Sequence, residues 1–225
     1  MNYEGDALYY SLKCYNIGPE DEVLVSDFSC ISSASCISMV GAKPVFCDID
    51  LNSYHMSFEE IQRKTTNKTK AVVYTHLFGN MTETKEIEKY CKKNNIIFIK
   101  DATQSLAAFI EMRFDKDKIN KLQSRRIQVA NKYHEKLKEL PVIIQVANND
   151  LIHNYHKYVV RFKNKEIRDK VKNKLNAKIY SDLTSCSNAQ KASDTVLFLP
   201  CHPYVTENKI NQICTKLELI IGIVP

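Results

Sequence analysis

The sequence predicts an α/β fold, with a mostly parallel sheet flanked by helices in the first half, then a long connecting helix and a smaller α+β lobe. Three observations carry this. Short apolar strands alternate with helices through residues 6–100, the pattern of parallel βαβ units joined by right-handed crossovers. The strand at 96–100 runs out onto a carboxylate, Asp101, at the end of the sheet where open α/β folds place their ligands. After Ala108 the alternation stops, and residues 117–140 repeat apolar positions at helical spacing.

Taken in order, residues 6–15 read as a helix with Ala7, Leu8 and Leu12 inward, stopped by Asn16-Ile-Gly-Pro19. Glu22 to Ser26 is a strand, and the small apolar stretch from Ser29 to Val40 a closely packed helix. Lys43 to Asp48 is the next strand. Ser57-Phe-Glu-Glu60 opens a short helix with a capping box. A strand follows at Lys70 to Thr75. The next helix, over 82–94, has Thr82 as its cap and Ile87, Tyr90 and Cys91 on one face. The strand 96–100 completes this half, which is expected to hold about five strands. In the second half Ile119, Leu122, Ile127, Ala130, Tyr133 and Leu137 line one long helix that Pro141 ends. Strands are expected near 142–146, 155–162, 177–180 and 196–199, and helices near 165–175 and 207–220. The domain boundary falls between Phe109 and Lys118, which divides the chain into 1–112 and 113–225.

Composition narrows the function classes. The chain has 225 residues, 44% hydrophobic and 26% charged, with only 5 Gly and 6 Pro, so it lacks the bias of disordered or fibrous sequences. Its net charge of +6 is scattered over amphipathic segments without the aromatic-interleaved basic stripe of a nucleic-acid binder. Eight cysteines, with neither Cys-x-x-Cys nor zinc spacing, read as buried hydrophobes in a reducing compartment, with no metal site. No apolar run reaches membrane-spanning length and the start shows no signal-peptide pattern, so a cytoplasmic protein is expected. Neither Gly-x-Gly-x-x-Gly nor a Walker pattern is present, which weighs against a simple nucleotide-binding domain.

Several segments in register carry a resemblance. They are Asp6-Ala-Leu8, Ile17-Gly-Pro-Glu-Asp-Glu-Val23, Val40-Gly-Ala-Lys-Pro-Val-Phe-Cys-Asp-Ile-Asp50, His76-Leu-Phe-Gly79, Asp101-Ala-Thr-Gln104, the 119–140 helix and Leu197-Phe-Leu-Pro-Cys-His-Pro203. Together they resemble the DegT/DnrJ/EryC1/StrS family of sugar-nucleotide aminotransferases, pyridoxal phosphate (PLP) enzymes of fold type I. The resemblance implies a PLP-binding large domain with a truncated, mostly parallel sheet, followed by a small α+β domain. It implies that Asp101 pairs with the cofactor's pyridine nitrogen, keeping the ring protonated as an electron sink. Position alone also fits Asp101 as a cap beyond its strand. Gln104 matches the amide that meets the phenolic oxygen, Gly5 and Asp6 the phosphate-holding turn, and Cys30 the residue against the ring. His76 and His156 match positions near the substrate, though His76 reads equally well as a packed histidine.

Three departures accompany the resemblance. Tyr3-Glu4-Gly5 stands where the family has a Ser-Gly-Thr turn, which removes a hydroxyl and adds an anion, although Gly5 and the helix dipole remain. Cys30 replaces a stacking aromatic ring. Ala108 to Arg113 leads almost directly into the long helix, without the family's Schiff-base lysine segment; Lys116, Lys118 and Lys121 read as surface residues. The opening also reads as shortened relative to the family. The implied function is PLP-dependent transfer of an amino group from a donor such as glutamate to a keto-sugar nucleotide, in surface polysaccharide or deoxyaminosugar biosynthesis, by a homodimer or hetero-oligomer. The alternative is a non-catalytic, degenerate homologue that acts as a binding or hetero-oligomer partner or has no present role. No catalytic residue is assigned, and the shortened sheet is expected to expose new edges.

Overall fold

The computed structural model describes residues 3–105, 116–145, 153–177 and 185–222. These group into two compact units, one of Met1–Leu77, Thr82–Thr103 and Asp182–Gln190, the other of Phe78–Met81, Gln104–Ser181 and Lys191–Pro225.

In the first unit, α1 (Tyr3–Cys14), β1 (Glu22–Ser26), α2 (Ile31–Met39), β2 (Lys43–Cys47), α3 (Phe58–Lys64), β3 (Thr69–Thr75), α4 (Lys85–Lys93) and β4 (Ile97–Asp101) follow one another. The strands form one parallel sheet in the order β2-β1-β3-β4. Side chains alternate across it as strand geometry requires. Val23, Val25, Ala71 and Val73 pack with Leu8 and Leu12 of α1 and Cys36 and Ile37 of α2. On the other face Leu24, Val72 and Tyr74 pack with Ile61 of α3 and Ile87 and Cys91 of α4. Every residue of central β1 is buried, while Ile97, Phe98 and Ile99 of edge strand β4 are only half-buried. Covered on both faces, the inner strands read as continuous apolar runs.

The second unit holds α5 (Lys116–Leu137), β5 (Ile143–Ile144), β6 (Tyr158–Arg161), α6 (Lys165–Leu175), β7 (Val196–Leu199) and α8 (Glu207–Ile221). Its three strands form an antiparallel sheet in the order β5-β6-β7. Ala130, Tyr133 and Leu137 of α5 meet Tyr158 and Val160 of β6, Leu197 of β7, and Ile213 and Leu217 of α8 in one core. A further helix, α7 (Ser187–Thr195), enters β7 directly.

Several expectations are corrected. The parallel sheet has four strands among the described residues, where about five were expected. Ser57 caps α3 through the Glu60 N–H at 3.2 Å, but the capping box is not reciprocal, because Glu60 binds the Asp48 N–H and Arg63 instead. Helix α4 starts at Lys85 after Thr84; the Thr82 hydroxyl is engaged with the Tyr74 hydroxyl at 3.1 Å, and Thr84 donates to Glu88 at 2.6 Å. Helix α5 stops at Leu137, four residues before Pro141, and the stretch to Leu140 is a turn. Among the described residues the strands near 142–146 and 155–162 contract to the two and four residues of β5 and β6, residue 146 lying outside them. The strand expected at 177–180 lies almost wholly outside the described residues, as does the Ile119 side chain.

Candidate cofactor site

The strand order sets where a ligand sits in the first unit. From β1 the chain crosses outward to β2, whereas β3 and β4 lie on its other side, so the connections diverge between the carboxyl ends of β1 and β3. Residues 26–30 after β1, Thr75 and His76 at the end of β3, and Asp101 ending β4 therefore gather at this switch point. Ser29 Oγ donates to Thr75 Oγ1 at 3.5 Å, and the His76 N–H donates to the Asp101 carbonyl at 2.9 Å.

Asp101 is buried. Its Oδ1 accepts from the Thr103 hydroxyl at 2.7 Å and the Thr103 N–H at 3.2 Å, which fixes the carboxylate plane. Oδ2 is also buried and has no partner among the described residues. An unmatched carboxylate oxygen carries a desolvation cost unless a donor arrives, so this atom is the strongest chemical signal in the unit. The adjacent His76 is 1% exposed and packs against the rings of Tyr74 and His55, with centroids 5.5 and 5.9 Å away. Burial, and secondarily the Lys100 ammonium, pulls its pKa down to about 4, with Asp101 pulling the other way. The imidazole is thus neutral near pH 7.

Gly5 and Asp6 lie in the first turns of α1, and Asp6 Oδ1 is a second buried oxygen without a partner among the described residues. A Cβ on Gly5 would meet Ser32 Cβ at 3.8 Å, an ordinary contact, so packing in this unit does not itself demand glycine there. Cys30 is the extended residue ahead of α2, and its side chain makes no capping hydrogen bond.

The second unit holds the other expected residues. Gln104 Oε1 accepts from the Phe78 N–H at 2.9 Å, which leaves the amide nitrogen as the free end of the side chain to donate. The Gln104 carbonyl accepts from Asn154 Nδ2 at 3.0 Å, and the Asn154 N–H donates to the Gly79 carbonyl at 3.0 Å. Phe78 and Gly79 both have positive φ, 61° and 82°, and a Cβ on Gly79 would overlap Asn154 Oδ1. His156 follows this knot and donates its N–H to Asn154 Oδ1 at 2.9 Å. Its ring is crowded by protein yet remains exposed to solvent; that crowding, then the Lys157 and Arg126 cations, lowers its pKa to about 4.

Three polar residues that sequence reading missed shape these surroundings. Asp27 Oδ2 accepts from the Ser185 and Cys186 N–H groups, both at 2.6 Å. Asp48 accepts from Ser187 Oγ and from the Asn188 and Ala189 N–H groups, so it caps α7 from about 140 residues away in sequence. Asn154 performs the equivalent service for Gln104 and Gly79. None has a local pattern that announces a partner so distant.

Among the lysines considered for covalent chemistry, Lys121 is exposed on α5, and the side chains of Lys116 and Lys118 lie outside the described residues. All eight cysteines are free thiols. Among the described residues no helix is long and apolar enough to cross a membrane.

Comparison with known proteins places this geometry. The model of the DegT/DnrJ/EryC1/StrS aminotransferase family matches residues 4–114. The pleiotropic regulatory protein of Geobacillus stearothermophilus is 35% identical over 103 residues, 46% of this chain and 28% of that protein. GDP-perosamine synthase of Escherichia coli O157:H7 is 34% identical over 102 residues, 45% of this chain and 28% of that enzyme. The matched stretch therefore spans under a third of these curated relatives. The crystal structure of S. venezuelae DesV superposes over 100% of this chain and 84% of its own with a TM-score of 0.87 at 16% identity, which shows the shared fold.

Proposed function

We propose, from the match of residues 4–114 to the DegT/DnrJ/EryC1/StrS aminotransferase family, that the first unit binds PLP with Asp101 against the pyridine nitrogen. The whole protein then serves transfer of an amino group from an amino acid such as glutamate to a keto-sugar nucleotide. The observation that carries this reading is Asp101 Oδ2, a buried acceptor without a partner among the described residues, on a carboxylate whose other oxygen is fixed by Thr103.

The residues present fit the cofactor at its ring nitrogen. When bound, PLP supplies an electron sink for the bond broken at the amino-acid carbon. Asp101 would hold a proton on the ring nitrogen, because an adjacent anion favours the cationic ring. Thr103 keeps that carboxylate oriented, and His76, neutral near pH 7, adds no charge beside it. By the resemblance, the Gln104 amide would donate to the phenolic oxygen, Gly5 and Asp6 would hold the phosphate, and Cys30 would lie against the ring. By the same resemblance, His76 and His156 would each meet the substrate. A cytoplasmic homodimer or hetero-oligomer fits the free thiols and the edge strands left unpaired among the described residues.

A second reading, a non-catalytic holder of cofactor or partner subunit, is favoured by the exposure of Lys121 and by the thiol of Cys30 where the resemblance implies a stacking ring. Titration of the full chain with PLP, with and without glutamate and borohydride, separates the two. The chain is expected to bind PLP reversibly. A visible band that shifts with glutamate and is trapped by borohydride establishes the enzymatic reading for this chain alone. Reversible binding with no trapped product establishes the second as a cofactor holder, and no binding at all overturns the proposed PLP site.

A further inference from the structure

We propose that Ser32, in the first turn of α2, gives the cofactor's phosphate the hydroxyl hydrogen bond that position 5 cannot supply. The inference rests on the reading of a PLP site in the first unit, and adds to it a residue that the resemblance does not assign.

Position 5 is a glycine where the resemblance implies a hydroxyl. Helices α1 and α2 pack through Leu8, Leu12, Cys36 and Ile37, and a Cβ placed on Gly5 would stand 3.8 Å from Ser32 Cβ. A side chain at position 5 and the side chain of Ser32 therefore address one small space. Ser32 Oγ is buried and has no hydrogen-bond partner among the described residues. A helical serine can return its hydroxyl to the carbonyl four residues back, as Ser11 does to Ala7 at 2.7 Å and Ser124 to Asn120 at 2.8 Å. For Ser32 that carbonyl is Phe28, which precedes the helix and already accepts from Ser26 Oγ at 3.1 Å. The neighbouring hydroxyls are engaged, Ser29 with Ser33 and Thr75, both at 3.5 Å, and Ser35 with the Ser32 carbonyl at 3.2 Å. Ser32 is thus the hydroxyl at this end of α2 whose proton is not committed among the described residues.

The end of α2 also suits an anion. Cys30 provides no side-chain cap and the first turn carries no acidic residue, so the positive end of this helix is not neutralised by its own side chains. Asp6 Oδ1, on the facing helix, is buried and equally without a partner among the described residues, so the carboxylate has not captured the Ser32 proton. A hydroxyl left unpaired in a protein interior is a cost to the empty chain, and a bond from it to an anion is among the stronger hydrogen bonds. Ser32 restores from a second helix what the Tyr3-Glu4-Gly5 turn has lost. Affinity for the phosphate then depends on α2 as well as α1.

Titration of the full chain with pyridoxamine 5′-phosphate and with pyridoxamine tests this, since neither carries an aldehyde to react with surface lysines. The native chain is expected to bind the phosphate ester more tightly. Ser32→Ala is expected to weaken the ester about tenfold and leave pyridoxamine unchanged, with a cofactor-free unfolding midpoint that is unchanged or higher because an unpaired buried hydroxyl is gone. Adding Gly5→Ser to Ser32→Ala should return most of the lost affinity, as the hydroxyl comes back at position 5. Asp101→Asn should weaken both ligands alike, which separates the two readings. Binding of the ester that Asp101→Asn weakens and Ser32→Ala leaves intact overturns the role of Ser32 and spares the PLP site. Equal weakening of both ligands by Ser32→Ala, or a lowered midpoint, overturns it too, because the hydroxyl would then serve the fold. Failure of the native chain to bind either ligand overturns both readings.

Discussion

In the first unit Thr75 and Asp101 stand at the ends of neighbouring strands and Ser29 just beyond the end of β1, and the ties at this place run between adjacent parts of the chain around one sheet. In the second unit Gln104 is held by Asn154, 50 residues further along the chain, and the glycine beside it exists to make room for that asparagine. The contrast separates two ways of placing a functional group. A strand end delivers its residue through the regular geometry of the sheet, so a substitution nearby perturbs the site mildly. A knot of side chain to backbone bonds around a left-handed turn has no such redundancy, and one added atom breaks it.

The largest expected effect follows from that fragility. Gly79→Ala forces a Cβ onto Asn154 Oδ1 at a positive φ, and should destabilise the second unit by about 3 kcal/mol in urea unfolding. Gly5→Ala is the matching change in the first unit. Within a helix and with 3.8 Å to the nearest atom, it should stabilise by about 0.5–1 kcal/mol. Equal losses at both glycines would erase the contrast.

Acid should act next. His76 has a folded pKa near 4 against an ordinary value near 6.5, so the unfolded chain takes up the proton first. The stability this neutral histidine represents is present above about pH 6.5 and lost as pH falls towards 4, on the order of 3 kcal/mol. Buried His153, pulled down to about 3 by burial and the nearby His134, does the same in the second unit over a window reaching lower. Denaturant midpoints from pH 7 to pH 4 should fall for the native chain and more shallowly for His76→Gln. A smaller loss, about 1–2 kcal/mol, is expected for Asp48→Ala, which uncaps α7. Burial alone would raise the Asp48 pKa, but the N–H groups of Asn188, Ile49 and Ala189 and the Ser187 hydroxyl outweigh it and hold it low. Its contribution is therefore present above the ordinary carboxylate range and fades as pH falls through the lowered value.

What sequence alone makes legible follows the same divide. The buried runs of β1 and β3 are apolar because both faces of the sheet are covered there, and the strand ends, including Asp101 of half-buried β4, can be read from composition and punctuation. α6, capped by Asn164, agrees residue for residue with its helical pattern, because its cap lies next to it in the chain. α7 was not legible. Ser187–Thr195 is small and polar with no apolar stripe, and its cap is Asp48. Thr82 misled as a cap because its hydroxyl is claimed by Tyr74, a partner on another element. Long-range polar ties leave no periodic trace, and that is why Asp27, Asp48 and Asn154 had to be found in the structure.

Asp101→Asn tests the central claim most directly, by comparing unfolding of the cofactor-free chain with its affinity for PLP. A carboxylate kept for a cationic ring is a cost to the empty protein, so the substitution should leave the cofactor-free midpoint unchanged or higher while weakening PLP about tenfold or more. A destabilised chain that binds PLP as tightly as before would contradict the account, because Asp101 would then serve only to hold Thr103.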